Sequence, residues 1–175
     1  MLQYVPSRYH ATCPSLLLDM YLAENPTPQP GKAYAINKKS IGTAVTVVDG
    51  TRVAMRYWEG LPTQKWECVK KDGWLGFICR ASTDCDAYLG HDDYDVLICK
   101  APHHREWEHF QVMLHDEGFP WEMRKNDYLT LVGITGGGGG LKVLAECTTW
   151  WSFTPIESAT TSTSSLLMPP IGHFQ

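Results

Sequence analysis

The chain has 175 residues, 43% hydrophobic and 19% charged, with a formal net charge of −4 and a pI near 5.9. That length suits one domain with a real core. The acidic balance excludes a general nucleic-acid binder, which needs a basic stripe to neutralise phosphates. No run of the about 18 apolar residues that a membrane-spanning helix requires is present.

Residues 1–31 read as an N-terminal extension. Leu16-Leu17-Leu18 is apolar, but Asp19 interrupts it, and neither a basic segment nor a small-x-small cleavage site flanks it. No signal peptide is read, and a cytoplasmic location is the expectation. Ser15 can cap a short helix reaching Leu22, with Leu18 and Leu22 on one side. Pro26, Pro28 and Pro30 then exclude a helix or a central strand.

Strand signals dominate residues 32–156. Residues 45–48, 53–55, 96–98, 110–114 and 141–144 form short β-branched or aromatic runs, mostly bounded by Gly, Pro or Asp. Alternation puts Phe110, Val112 and Leu114 on one face. Lys71-Asp72-Gly73 and Asp116-Glu117-Gly118 carry hairpin chemistry. About four short strands per unit, in three units, make about twelve.

The units are marked by an apolar-Gly pair followed by Trp-x-x-(Val/Phe). The copies are Ile41-Gly42 with Trp66-Glu67-Cys68-Val69, Leu89-Gly90 with Trp107-Glu108-His109-Phe110, and Val132-Gly133 with Trp150-Trp151-Ser152-Phe153. Their tryptophans stand 41 and then 43 residues apart, a fixed period that marks equivalent units. In this register the first unit's tryptophan follows its glycine by 24 residues, against 17 in the others. The extra length surrounds Arg56-Tyr57-Trp58-Glu59-Gly60-Leu61-Pro62, where a grafted site is expected. Residues 157–175 form a C-terminal tail, Ser/Thr-rich at first. Leu166, Leu167, Met168, Ile171 and Phe174 then suggest docking onto the domain or a partner, and a homodimer through this tail is one expectation.

Three units of four strands resemble a β-trefoil, a six-stranded barrel capped by three hairpins. The Trp-Glu-x-Phe form is similar to small fungal β-trefoil proteins, relatives in shape of the ricin-B and fascin-like trefoils. The resemblance covers residues 32–156 and implies an all-β fold with non-repeat segments at both ends. In ricin-type lectins each repeat carries a Gln-x-Trp that holds the barrel wall, and sugar-binding repeats add an early Asp and a later Asn. Gln64-Lys65-Trp66 matches Gln-x-Trp literally. The tryptophan register instead makes Glu67, Glu108 and Trp151 the equivalent wall positions. The Asp and Asn pattern is missing.

Several residues are candidates for chemistry. Glu67 and Glu108 read as acid–base groups or as carboxylates satisfied by backbone N–H groups, and their recurrence favours architecture. His91-Asp92-Asp93-Tyr94-Asp95 reads as a ligand loop, with Asp93 and Tyr94 as contacts, or as a solvated hairpin. His103 and His104 are candidate catalytic acid–base groups. His103, His109 and His115 lack ligand spacing, so no metal site is expected. Tyr57 is a further catalytic candidate, with Trp58 and Trp121 lining a pocket; Trp121 and Trp74 read equally as core or rim. Gly136 to Gly140 lacks the Gly-Lys-(Ser/Thr) ending of a phosphate loop and reads as a hairpin tip. The six cysteines suit free thiols in a reducing compartment, or disulfides in an oxidising one. No Cys-x-x-Cys pair suggests structural zinc.

No nucleophile elbow, paired-carboxylate spacing or dinucleotide fingerprint is visible, so no cofactor is expected. The asymmetry of the first unit favours one apolar pocket for a small ligand. Such a pocket could serve a cofactor-free cyclase of pericyclic (Diels–Alderase) type in fungal specialised metabolism, which needs a shaped cavity and one or two donors. The alternative is a carbohydrate-binding lectin of ricin-B-like type, and a third reading is a protease inhibitor presenting one loop. The cyclase reading predicts one deep pocket lined by Tyr57 or Trp58 and sealed by a terminus. The lectin reading predicts up to three shallow sites with exposed aromatics.

Overall fold

The structure, a computed structural model, describes residues 27–39, 42–81, 86–115, 118–137 and 139–157. The expected helix over 15–22, the C-terminal tail beyond residue 157, Ile41, Cys13, Cys85 and the Asp116-Glu117 pair lie outside the described residues.

Twelve strands follow one another: β1 (Ala33–Lys38), β2 (Thr43–Val48), β3 (Arg52–Tyr57), β4 (Trp66–Lys71), β5 (Trp74–Cys79), β6 (Ala87–His91), β7 (Leu97–Ala101), β8 (Phe110–Val112), β9 (Trp121–Lys125), β10 (Tyr128–Thr135), β11 (Gly140–Leu144) and β12 (Trp151–Ile156). Strand β8 stops short of the expected run, and Met113 and Leu114 are exposed. The β2–β3 and β4–β5 turns use Asp49-Gly50 and Asp72-Gly73, all four at positive φ, which fits the right-handed twist of a tight hairpin.

Six strands pair in a ring, β1–β4–β5–β8–β9–β12–β1, all antiparallel. Phe119, just before β9, closes it by exchanging backbone hydrogen bonds with Trp151 at 3.1 and 2.9 Å. Closure removes the exposed edges that a flat sheet would leave. The hairpins β2–β3, β6–β7 and β10–β11 cap one end and are tied together by bridges at Arg52–Ile98, Val96–Lys142 and Ala54–Gly140. The glycine run is more than a tip: Gly139 accepts from the Met55 amide at 2.8 Å, and a Cβ at Gly139 would press on Met55.

Pairing across the ring corrects the register of the repeats. Cys68 faces Phe77, Val112 faces Trp121 and Phe153 faces Ile36. The equivalent residues two positions earlier are therefore Trp66, Phe110 and Trp151, paired with Tyr34, Leu75 and Phe119. The Trp66 and Trp151 indoles donate to the carbonyls of Val45 and Val132 at 2.8 and 3.0 Å. Leu89 holds the matching place in the second repeat. Trp66 follows Val45 by 21 residues, Phe110 follows Leu89 by 21, and Trp151 follows Val132 by 19. The first unit is thus no longer than the second, and the apparent insertion came from aligning Gly42 with Gly90, where Thr46 belongs. Trp107 is not a wall residue; it is 46% exposed.

The inner wall packs as one aromatic cluster. Trp121 is fully buried, with ring centroids 5.1 Å from both Phe110 and Trp151, 5.7 Å from Phe77 and 6.0 Å from Phe153. It is core, and the expectation that it lines a ligand pocket does not hold. Cys68, Cys99 and Cys147 are free thiols, and burial pushes the Cys68 thiol up to about 12, which leaves it protonated and unreactive.

The two registers make opposite predictions. Trp66→Ala should cost roughly 3–5 kcal/mol through a core cavity. Trp107→Ala should stay within about 0.5 kcal/mol, as surface changes do. Denaturant unfolding of both variants separates them.

Candidate functional site

In the first two repeats the wall is braced from behind by one side chain each. A 3-10 helix, Pro62–Gln64, precedes β4, and another, Glu106–Glu108, precedes β8. Gln64 is buried; its amide donates to Tyr57 O at 2.7 Å and Thr46 Oγ1 at 3.2 Å, and its Oε1 accepts from the Glu59 and Leu61 amides. Glu108 is its counterpart. Its Oε2 accepts from the Arg105 amide at 2.9 Å, and a Cβ on Gly90 would lie 2.8 Å from its Oε1. Burial pushes the Glu108 carboxyl above the usual carboxylate range. The literal Gln64-Lys65-Trp66 match is therefore the first repeat's wall motif, with Glu108-His109-Phe110 in its place in the second. Glu67 is not equivalent to Glu108. It points outward and pairs with Arg80 at 2.6 Å, and Arg80 also holds Asp86.

With the register fixed, three outward rungs can be compared. They are Asn37–Ser152 between β1 and β12, Ile78–Glu67 between β5 and β4, and Glu122–Gln111 between β9 and β8. The Arg80–Glu67 ion pair lines the second, where the cleft is only about 220 Å³. The third carries the carboxyl of Glu122, whose Oε2 is buried without a partner and which desolvation pushes upward.

The first rung opens into a groove of about 590 Å³, where Trp58 stands beside Asn37, Ser152 and Thr154. Trp58 is 40% exposed, and its amide donates to Gly42 O at 3.0 Å. The Asn37 amide donates to Thr154 Oγ1 at 3.1 Å, leaving the carbonyl of Asn37 and the hydroxyls of Ser152 and Thr154 as neutral groups on the same wall. An aromatic face and uncharged donors and acceptors thus share one open groove, whose rim also carries Lys38 and Glu157.

A second cleft of about 540 Å³ lies in the loop between β7 and β8, lined by His103, Arg105, Trp107 and Glu108 among others. The Trp107 ring lies nearly parallel to that of His91, with centroids 5.1 Å apart.

The expected site residues fall in different places. Trp58 lines the first groove. Tyr57, next to it, is 78% exposed and does not line it. His103 lines the Trp107 cleft. His104 is buried, with its Nε2 3.2 Å from Leu75 O and its ring stacked on Tyr88; a catalytic role needs access to a ligand, which this placement denies. Asp93 and Tyr94 occupy the exposed turn between β6 and β7. There Asp92 Oδ1 accepts from the amides of Tyr94 and Val96 at 2.9 Å, and Asp95 pairs with Lys125 at 2.6 Å. Two of the three carboxylates thus hold the turn. Among the described residues no cluster of three or more His, Cys, Asp or Glu is placed to hold a metal. Asn37, Ser152 and Thr154 escaped the sequence reading because polar outward positions on a strand look like ordinary solvated surface until the register shows which of them face one another.

No protein-family profile matches the sequence, and no curated protein matches it. Solved structures match by shape. The designed three-fold symmetric protein ThreeFoil has a TM-score of 0.59 at 15% identity, covering 71% of this chain and 99% of its own. The ricin B-like lectin of Macrolepiota procera, solved with lactose, gives 0.58 at 12%, covering 73% and 98%. The β-trefoil lectin of Vibrio vulnificus hemolysin/cytolysin, solved with N-acetyl-D-lactosamine, gives 0.57 at 16%, covering 73% and 96%.

The fold is a β-trefoil. At these identities the likeness concerns the fold alone, and the trefoil's bracing position is the one that carries Gln64 and Glu108.

Glu108→Gln places the first repeat's residue in the second. The folded-state carboxyl of Glu108 titrates above its unfolded value of 4.5, so the wild-type side chain adds stability as pH falls through that folded pKa toward 4.5. Glu108→Gln should be neutral or stabilising by up to about 1 kcal/mol at pH 7. It should also lose this acid-side gain, read from chemical denaturation at pH 7 and pH 5.

Proposed function

We propose that this trefoil binds a neutral carbohydrate in the groove beside Trp58, at one site per chain. The observation that carries the reading is the pairing of a half-exposed indole with the Asn37–Thr154 hydrogen-bonded pair on one groove wall. A sugar ring has one apolar C–H face and a rim of hydroxyls. Its apolar face matches the indole, and its hydroxyls match an amide carbonyl and two hydroxyls placed to fix orientation. Two trefoils of the same shape were solved with lactose and with N-acetyl-D-lactosamine, which supports the class of ligand.

One site follows from the unequal rungs: the second holds an ion pair and the third a carboxyl, so neither repeats the neutral polar wall. The cyclase reading loses its motive. The long first unit was a misalignment, and among the described residues the grooves at Trp58 and Trp107 are both open rather than deep. An open groove does not exclude water or compress a flexible polyene into a reactive shape.

Isothermal titration with lactose and with N-acetyl-D-lactosamine, preceded by a glycan array to widen the choice, tests the reading. A stoichiometry near one is expected. Trp58→Ala should weaken binding at least about tenfold, about 1.4 kcal/mol, and Asn37→Ala by a smaller factor, while Trp107→Ala should bind as wild type. Unchanged affinity in a folded Trp58→Ala variant would remove the groove from the account.

A further inference from the structure

The loop between β7 and β8 is fastened from beneath by two histidines that ligand binding at Trp58 does not use. His104 and His109 are both buried, and their rings meet edge to face with centroids 5.0 Å apart. His104 lies flat on Tyr88 and His109 flat on Trp74, at 5.6 and 5.4 Å. The fit is tight: a Cβ on Gly76 would come within 2.8 Å of His104 Nε2. His104 Nε2 faces Leu75 O at 3.2 Å, a contact that requires the proton on Nε2. The Nδ1 atoms of both rings are buried with no partner. Between the two histidines the chain carries Arg105, Glu106, Trp107 and Glu108, the wall of the 540 Å³ cleft.

We propose that His104 and His109 form an acid-sensitive latch: as neutral rings they hold down the loop that carries Trp107, and their protonation releases it.

The charges around the pair favour this direction. Strand β4 supplies Lys71, whose ammonium donates to His104 O at 3.3 Å, and β9 supplies Arg124, whose guanidinium sits 5.8 Å from the Trp74 ring centroid. Against these cations stand the carboxylates of Asp72 in the β4–β5 turn and Glu106 in the loop, and the backbone of Glu108; β5 and β6 contribute uncharged Trp74, Leu75, Gly76 and Tyr88. Glu106 is engaged with Arg124 at 3.4 Å, and Glu108 with the Arg105 amide. A second proton on His109 would sit on a buried Nδ1 with no hydrogen-bond partner, beside a second imidazole; at His104 the Leu75 and Glu108 backbone offsets part of the burial cost without reversing it. Desolvation, the largest cause, holds both histidines below the ordinary 6.5; each also feels a nearby cation, Lys71 at His104 and Arg124 at His109. An opened loop, with both rings in water, regains the ordinary value. Protons therefore favour the open form, and the closed form loses ground as pH falls below about 6.5 toward the depressed values.

Proton NMR titration of the full chain gives the first readout; His104 and His109 should titrate below the ordinary 6.5. Amide exchange over 102–109, corrected for the intrinsic pH dependence, gives the second. Opening should rise as pH falls, by up to about tenfold per pH unit for each histidine that gains a proton. His109→Phe, which keeps a ring against Trp74, should cut that slope by one proton; adding His104→Asn, which can still donate to Leu75 O, should abolish the acid-driven opening and leave only the opposite trend of Glu108, whose protonation favours the closed loop. Titration of both histidines at or above the ordinary 6.5, or an unchanged slope in folded His109→Phe, would overturn the latch.

Discussion

Closure of six strands around one aromatic plug is the constraint on which the rest depends. Trp66, Phe110 and Trp151 come from three repeats and enter the barrel at equivalent heights, with Phe77, Trp121 and Phe153 packed between them. Two of the three entry positions are indoles hydrogen-bonded to a hairpin carbonyl, so the same side chain seals the barrel and ties its cap. The second repeat manages with Phe110, which has no donor, and braces itself instead through Glu108 and a close approach at Gly90. The side-chain period of a strand is two, so once the inward positions are fixed every outward position is fixed as well. The site is a consequence of the core.

The strands, the turns and the threefold plan were legible in the sequence because each is local. Alternation and β-branched runs mark the strands, Asp72-Gly73 marks the β4–β5 hairpin, and a recurrence near forty residues marks the units. The register was not legible, because tryptophan does two jobs here. Trp66 and Trp151 seal the barrel, while Trp107 and Trp58 stand in solvent on loops. Matching Trp to Trp joined residues of different roles, and Phe110, the true second copy, was hidden by its chemistry. Gln64-Lys65-Trp66 held the correct anchor. Only cross-strand pairing, a non-local fact, decides between the two alignments.

That correction moves the search for function. With the apparent insertion gone, what differs among the repeats is the outward rung. Evolution of a threefold scaffold can leave a ligand surface in one copy and fill the others with charges that stabilise or solvate them; here Arg80 bridges Glu67 and Asp86 in one place, and Glu122 stands in another. The Asn37–Ser152 rung is neutral and lies against a half-exposed indole. The histidines divide in the same way. His103 faces a cleft, whereas His104 and His109 are buried fasteners whose neutrality the packing enforces.

The location of the ligand tests the account most directly. Each indole N–H gives its own proton NMR signal, and seven tryptophans are present. Titration with lactose or N-acetyl-D-lactosamine should shift the Trp58 signal while those of Trp66, Trp151 and Trp107 stay in place. A ligand that shifts Trp107 and leaves Trp58 unmoved would place the site in the other cleft and contradict the account.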